Sequence, residues 1–234
     1  MGRYALANHV FVCLNGDQIV FLDLKEDRYW ALEASQTAGL AACVSGWPVQ
    51  DDPDRPSSAD TVADALVGRG LLSDGSRDGK DATPVVATAP SVDLIVDDGH
   101  AVGPAGWISL AKFLTAAVTA RIVLWCLPFE RVVRRVTRRK KISGPKAPPL
   151  DIVRARRIVE AFGRHRVFFF TSHEECLYDS LALLEFLALH RLYPDWVFGV
   201  RTRPFAAHCW VQQDAVVFND TVDHATSFSP IMVA

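Results

Sequence analysis

The chain lacks most of the features that place a protein quickly. It has five cysteines (Cys13, Cys43, Cys126, Cys176 and Cys209) and no CxxC spacing. An odd number without paired spacing argues against a disulfide framework and for a reducing cytoplasm. Charge of one sign is missing too: 25 Lys plus Arg against 27 Asp plus Glu leave a formal charge of −2. A near-neutral chain is not a bulk nucleic-acid binder. There is no Gly-rich phosphate loop, so any nucleotide dependence is expected to come through a partner. No internal repeat is visible. Residues 1–14 lack the basic region and long apolar run of a secretory signal, and a cytoplasmic location is expected.

A long uninterrupted apolar run is also absent. The most hydrophobic segment, 107–129, is broken by Lys112 and Arg121. A spanning helix needs about 20 mostly apolar residues. The segment is therefore read as a buried amphipathic helix, and no membrane span is expected.

What is present is apolar mass. Half of the 234 residues are hydrophobic and six are Trp, enough for a sizeable core in one large or two small domains. The first part holds three β-rich runs, 10–14, 19–24 and 28–32, separated by polar breaks. Asn15-Gly16 is a strong hairpin signal. Helical patterns follow over 34–44 and 58–69, with Gly70 as a C-cap. Strands followed by helices in this order resemble a winged-helix-like module. Residues 73–91, rich in Gly, Asp, Ser, Thr and Pro, read as a linker. A basic tract, 131–141, carries seven Lys or Arg in eleven residues and reads as a solvated helix end. A helix over 150–162 spaces Ile152, Val153, Ala155, Ile158, Val159 and Phe162 for one buried face. Strands are expected over 197–201, 205–212 and 215–220.

Chemistry concentrates near the end of the chain. Ser172 and Glu175 have the spacing of a capping box, which starts a helix and puts Cys176 in its first turn. Unpaired N–H groups and the helix dipole favour a thiolate there. Glu174 and Glu175 work against it, so a nearby imidazolium is required. His208 lies on an extended segment and shares a face with Trp210. Alternation points Cys209 the other way, as a structural thiol. A two-residue turn at Gln213-Asp214 pairs His208 with Asn219, whereas a three-residue turn over 213–215 pairs it with Asp220. Either residue can orient the imidazole, and the residues alone leave the choice open. Asp223 and His224 are further candidates. A zinc site from His173, Cys176 and His208 or Cys209 has weak spacing, and no metal is expected.

The string Cys176-Leu177-x-x-Ser180-Leu181-Ala182-Leu183 is followed by Pro204-Phe205-x-Ala207-His208-x-Trp210-Val211 and then Asn219-Asp220. This resembles the transglutaminase-like leader peptidases of lasso peptide biosynthesis, over about residues 150–234. The first part resembles the PqqD-like recognition element of that family. The resemblance implies an α+β chain in three stretches. Residues 1–75 would be a winged-helix-like, PqqD-like module and 76–100 a linker. Residues 101–234 would be a transglutaminase/papain-like cysteine peptidase domain. It implies Cys176 as nucleophile, His208 as general base and acid, and Asp220 as orienter, with no cofactor. The partners it implies are a ribosomally made precursor peptide and an asparagine-synthetase-like lasso cyclase. The leader would add as a strand along Arg28, Tyr29, Trp30, Ala31 and Leu32, with the 58–69 helix as the other wall. An inactive leader-presenting protein, or an amide transferase or deamidase on the same scaffold, are the alternatives. Two positions depart from the family pattern: Asp179 stands where a basic residue is usual, and Gln213-Asp214 replaces a Gly-containing turn.

Overall fold

The computed structural model describes residues 3–37, 39–49, 59–74, 79–95, 107–144, 149–166 and 176–234. The chain divides into two compact units. The first comprises Met1–Val86, Gly199–Ala207 and Ser229–Met232; the second comprises Ala87–Phe198, His208–Phe228 and Val233–Ala234.

The first unit is organised by two small antiparallel sheets. Strands β2 (Val10–Asn15), β3 (Gln18–Asp23) and β4 (Arg28–Glu33) form a meander in the order β2-β3-β4. The β2–β3 register pairs Asn15 with Gln18, so the tight turn is Gly16-Asp17, with Gly16 at φ +60°. Glycine at the first turn position supplies the positive φ that matches the strand twist. Asn15 is thereby kept on the strand, and its side-chain oxygen accepts from the Thr202 N–H and hydroxyl.

Strand β1 (Tyr4–Ala7) lies between β5 (Leu72–Asp74) and β6 (Gly79–Lys80). Part of the stretch expected to be a linker is therefore built into a sheet. Ala82 beyond it is buried and donates its N–H to the Ser45 carbonyl. The turn-rich composition reflects chain reversals between short strands, which composition alone does not separate from a free linker.

The expected 34–44 helix is also divided. A 3-10 turn over Ala34–Thr37 and a short helix α1 (Leu40–Cys43) are separated at Gly39, whose φ is +89°. Helix α2 (Ala59–Gly68) ends as expected at Gly70, with φ +73°. The Gly70 N–H bonds the Val67 carbonyl and the Leu71 N–H bonds the Leu66 carbonyl, the paired bonds of a Schellman end. Leu6, Ile19, Phe21, Leu40, Ala63 and Leu71 meet in one core.

The second unit carries four longer helices and most of a five-stranded sheet in the order β11-β8-β9-β10-β7. Its strands are β7 (Val92–Asp93), β8 (Asp195–Thr202), β9 (Phe205–Gln213), β10 (Val216–Val217) and β11 (Ser229–Val233). Pairing of β7 with β10 is parallel, and it places Leu94 in the core.

Helix α3 (Trp107–Cys126) packs against α6 (Cys176–Leu189). Phe113, Ala116, Ala117, Ala120 and Val123 form its buried face. Its opposite face is not polar: Trp107, Ile108, Val118, Ile122 and Trp125 are exposed. The expected amphipathic character is thus absent, because Lys112 and Arg121 are only two charges in twenty residues. By length and composition α3 meets the requirement for a membrane-crossing helix, as core helices of soluble proteins also do.

The basic tract forms most of α4 (Phe129–Ser143). Arg135 and Arg139 converge on the buried carboxylate of Glu185 in α6, and Lys140 pairs with Asp195. Helix α5 (Ile152–Arg166) is capped by Asp151, which accepts from the N–H groups of Val153 and Arg154 at 3.0 and 3.1 Å. Ala155, Ile158, Val159 and Phe162 are buried as expected, but Ile152 and Val153, in the first turn, are exposed. Tilted ring contacts Phe113–Phe162 at 5.4 Å and Phe162–Phe186 at 5.6 Å tie α3, α5 and α6 together.

Gly79 sits where the first unit leaves no room for a side chain. A Cβ there would lie 2.5 Å from the Ala5 Cβ and 2.6 Å from the Ser73 Oγ. Gly79→Ala is expected to lower unfolding free energy by about 1–3 kcal/mol, read as a shift in the urea midpoint. Gly163→Ala, with open space around the added carbon, is expected to be neutral or stabilising.

Candidate active site

Cys176 opens the described part of α6 and is half-buried. The capping-box residues Ser172 and Glu175, the charge of Glu174, and His173 lie outside the described residues. Four residues on, Ser180 is fully buried on the same helical face. Its Oγ donates to the Cys176 carbonyl at 2.6 Å, receives the Trp196 indole N–H at 2.8 Å, and lies 3.3 Å from the Cys209 Sγ. These contacts lay the start of α6 across the face of β9 that bears Cys209.

That packing corrects the expectation for Cys209. Alternation does place it opposite His208 and Trp210, whose rings stack at 5.9 Å. Yet α6 approaches from the Cys209 side, so Cys209 does not point away from Cys176. Its thiol is the largest stabiliser of the Cys176 thiolate; the Cys209 backbone and His208 add to this against the cost of burial, and the Cys176 pKa is drawn down to about 4. Burial pushes Cys209 the other way, well above the ordinary thiol range, and keeps it protonated as a donor.

His208 is held from its far side. Its Nε2 lies 2.7 Å from Asp220 Oδ2. With Nε2 engaged, Nδ1 is the ring nitrogen left for the thiol. Burial disfavours the imidazolium, but hydrogen bonds to Asp220 and Cys176 outweigh it and raise the His208 pKa to about 9. Asp220 is buried too; hydrogen bonds from His208 and His224 overcome the desolvation cost and hold its carboxyl below the usual range.

The route by which Asp220 reaches His208 matches neither expected turn. Val216 pairs with Gln213 and Val217 with Gln212, so the turn residues are Asp214-Ala215, with Asp214 at φ +52°. Aspartate tolerates this left-handed conformation better than most residues. The ladder ends at Val217. Beyond it Asn219 turns its side chain inward: its oxygen accepts from the Val211 N–H at 2.8 Å and its nitrogen donates to Asp179 Oδ2 at 3.3 Å. Asp220 then meets His208 from the segment leaving the strand rather than as a cross-strand partner. Of the two residues that sequence reasoning left open, Asp220 lies on the imidazole and Asn219 braces the backbone.

Asp179 anchors Asn219. It is buried and pairs with Arg166 Nε at 2.8 Å. Burial raises its pKa, against the opposing pull of Arg166. The acid at this position is thus supported by a local cation, a partnership that spacing along the chain does not reveal.

Of the two further candidates, His224 joins the site, whereas Asp223 makes no side-chain hydrogen bond to it among the described residues. His224 Nδ1 lies 3.0 and 2.9 Å from the two oxygens of Asp220. It sits on α7 (Val222–Thr226), capped by Thr221, whose own N–H bonds Asp220 Oδ1 at 2.8 Å. The carboxylate is therefore fixed by three donors. His208, Asp220 and His224 also bring three ligand atoms within 4.8 Å, a set able to hold a metal ion. The same atoms are already used in the hydrogen bonds just described, and a metal there would displace the His208–Asp220 bond.

The five residues expected to bind a leader form β4. It pairs only with β3 among the described residues, leaving it at a sheet edge. Trp30 and Leu32 face the core, with the Arg69 guanidinium 5.1 Å over the Trp30 ring. Tyr29 is on the other face, edge-on to Phe205 at 5.8 Å. Arg28 and Ala31 are exposed.

A thiolate beside an imidazolium that a fixed carboxylate orients is the arrangement needed for nucleophilic acyl transfer. Residues 114–233, just over half of the chain, match the family model of the transglutaminase-like superfamily. The chain belongs to this superfamily. Its members are typically cysteine-based enzymes, proteases and acyltransferases among them. Comparison with curated proteins and with solved structures gives no match. The superfamily domain takes in α4, α5, α6 and the whole Cys176–His208–Asp220 array.

The lowered Cys176 pKa has a kinetic consequence. An ordinary thiol gains reactivity about tenfold per pH unit below a pKa of ~8.5. Cys176, already ionised above about pH 4, is expected to react with iodoacetamide at a nearly constant rate from pH 6 to 8. Site-resolved mass spectrometry reads the rate, and Cys209→Ala and His208→Ala should each raise the pH at which Cys176 reactivity levels off.

Proposed function

We propose that this protein is a leader peptidase of lasso peptide biosynthesis, a PqqD-like recognition module fused to a transglutaminase-like cysteine peptidase. The observation that carries the hydrolytic part is the Cys176–His208–Asp220 array with its thiolate–imidazolium electrostatics. The peptide specificity rests on the motifs around Cys176 and His208 and on the edge strand β4.

The Cys176 thiolate attacks the carbonyl carbon of the leader–core bond. As the C–N bond breaks, the His208 imidazolium gives its proton to the departing core amine. The leader stays on Cys176 as a thioester. His208, now neutral, takes a proton from water as its oxygen attacks the thioester. The C–S bond breaks, the leader leaves as a carboxylate, and the thiolate–imidazolium pair is restored. N–H groups in the first turn of α6 are not used by the helix and are suited to the oxyanion; Ser172 and His173, the side-chain candidates, lie outside the described residues. No step calls on a cofactor. The freed core amine is the nucleophile that an asparagine-synthetase-like cyclase would need for ring closure.

On this reading the leader extends the β2-β3-β4 sheet along Arg28–Leu32, backbone bonds giving affinity and side-chain pockets giving register. The placement of Trp30 and Leu32 on the core face leaves Arg28, Ala31 and the strand's outer edge as the receiving surface.

Incubation of the cognate precursor with wild-type protein is expected to yield one cut between leader and core by mass spectrometry, with and without the cyclase. Cys176→Ala should abolish it, and His208→Ala should slow it by a factor of about 10³ or more. Leader binding without any cut would overturn the peptidase in favour of a presenting protein. Capture of an added amine in place of water would make it a transferase. In parallel, hydrogen exchange of the full chain with leader peptide is expected to show added protection of amides in Arg28–Leu32; unchanged exchange there would remove β4 as the docking strand.

A further inference from the structure

Helix α3 and helix α4 carry features that the proposed chemistry does not use. Ten of the twenty positions in α3 face outward, and apart from Arg121 and Thr115 they are apolar or Cys126. Trp107, Leu114, Val118, Ile122 and Trp125 form a stripe, since their spacing of three, four and seven residues keeps to one side of a helix, and Ile108 flanks it. The two tryptophans at its ends are 85% and 87% exposed. At 1.5 Å per residue the stripe is about 30 Å long. A soluble surface rarely leaves an apolar patch of this length uncovered.

Positive charge follows directly. Between Trp107 and Ser143 there are nine Lys or Arg against one Glu, in a chain whose total charge is −2. Part of this charge is internal: Arg135 and Arg139 serve Glu185, and Lys140 serves Asp195. The outward face of α4 carries Arg131, Arg134, Arg138 and Lys141, again spaced three and four apart. Among the described residues only Arg134 of these four has an ion-pair partner, Glu130 at 2.6 Å. Arg121, within the apolar stripe, lays its guanidinium over the Tyr178 ring at 5.4 Å, so its charge is drawn to the edge of the stripe.

We infer that α3 and α4 form a docking surface for an anionic membrane, with α3 lying in the plane of the interface and the α4 cations meeting lipid headgroups. An apolar layer bordered by negative charge is what the two stripes complement together. Trp at both ends suits the headgroup boundary, where a ring with an N–H is half in apolar surroundings and half in polar ones. A spanning orientation does not fit, because Phe113, Ala116, Ala117, Ala120 and Val123 are occupied by the packing with α6. The inference stands independently of the peptidase reading: it concerns where the protein sits, not what Cys176 does.

The test is co-sedimentation of the full chain with vesicles of phosphatidylcholine alone and of phosphatidylcholine mixed with phosphatidylglycerol, whose negative surface attracts Lys and Arg. At least tenfold stronger partition into the anionic vesicles is expected, reduced by high salt. Trp107→Ser with Trp125→Ser, and separately Arg131→Gln with Arg138→Gln and Lys141→Gln, should each weaken it at least tenfold. All five side chains are exposed, so the melting temperature and Cys176 alkylation should be unchanged, which separates loss of docking from loss of fold or of the site. No partition into anionic vesicles, or partition indifferent to both sets of changes, would overturn the proposal. A dimer in analytical ultracentrifugation that the Trp changes abolish, without vesicle binding, would also overturn it and assign the stripe to a second copy of this chain.

Discussion

Ser180 holds the site together although it performs no chemistry. Its hydroxyl is fully buried and joins the Cys176 carbonyl, the Trp196 indole and the Cys209 thiol. Through it the first turn of α6 is fastened to β8 and β9. Once that packing is set, Cys176 lies beside Cys209 and His208, and the rest of the electrostatics follows. A buried hydroxyl left without these partners would cost about 1–3 kcal/mol, so helix and sheet are selected for each other.

A second layer of polar contacts fixes the orienting carboxylate. Asp179, buried against Arg166, holds Asn219; Asn219 holds the Val211 amide; and the chain then delivers Asp220 to His208. His224 and the Thr221 N–H fix the same carboxylate from its other side. Asp179 Oδ1 has the Arg166 ion pair but no hydrogen bond, and the other groups of this network are joined by the hydrogen bonds just named, which in a low-dielectric interior stiffen it. Rigidity matters because a thiolate–imidazolium pair depends on a hydrogen bond of fixed geometry at both ends of the ring.

The buried charges of the second unit follow the same rule on a larger scale. Glu185 lies in the otherwise apolar stretch 181–189 of α6 and is matched by two arginines of α4. The basic tract is thus divided by the fold: one side neutralises a buried acid, and the other is turned to solvent. A count of charges along the chain does not distinguish the two.

Local pattern was enough to read much of this protein. The three strands of the first meander, the Schellman end at Gly70, the buried face of α5 from Ala155 to Phe162, and Cys176 in the first turn of a helix all follow from periodicity and turn chemistry, which act over a few residues. His208 and Trp210 on one face of a strand follow from the same period of two. What the sequence did not decide are facts of packing between distant segments. The side from which α6 covers β9 made Cys209 a neighbour of Cys176. The register of the last hairpin, set by Asp214 in a left-handed conformation, brought Asp220 to the imidazole from beyond the strand. Gly39 divided a helix that composition alone would have continued, and the pairing of β5 and β6 with β1 turned part of an apparent linker into sheet. Such choices depend on contacts between residues tens of positions apart, where burial and hydrogen-bond satisfaction are settled jointly by the whole chain.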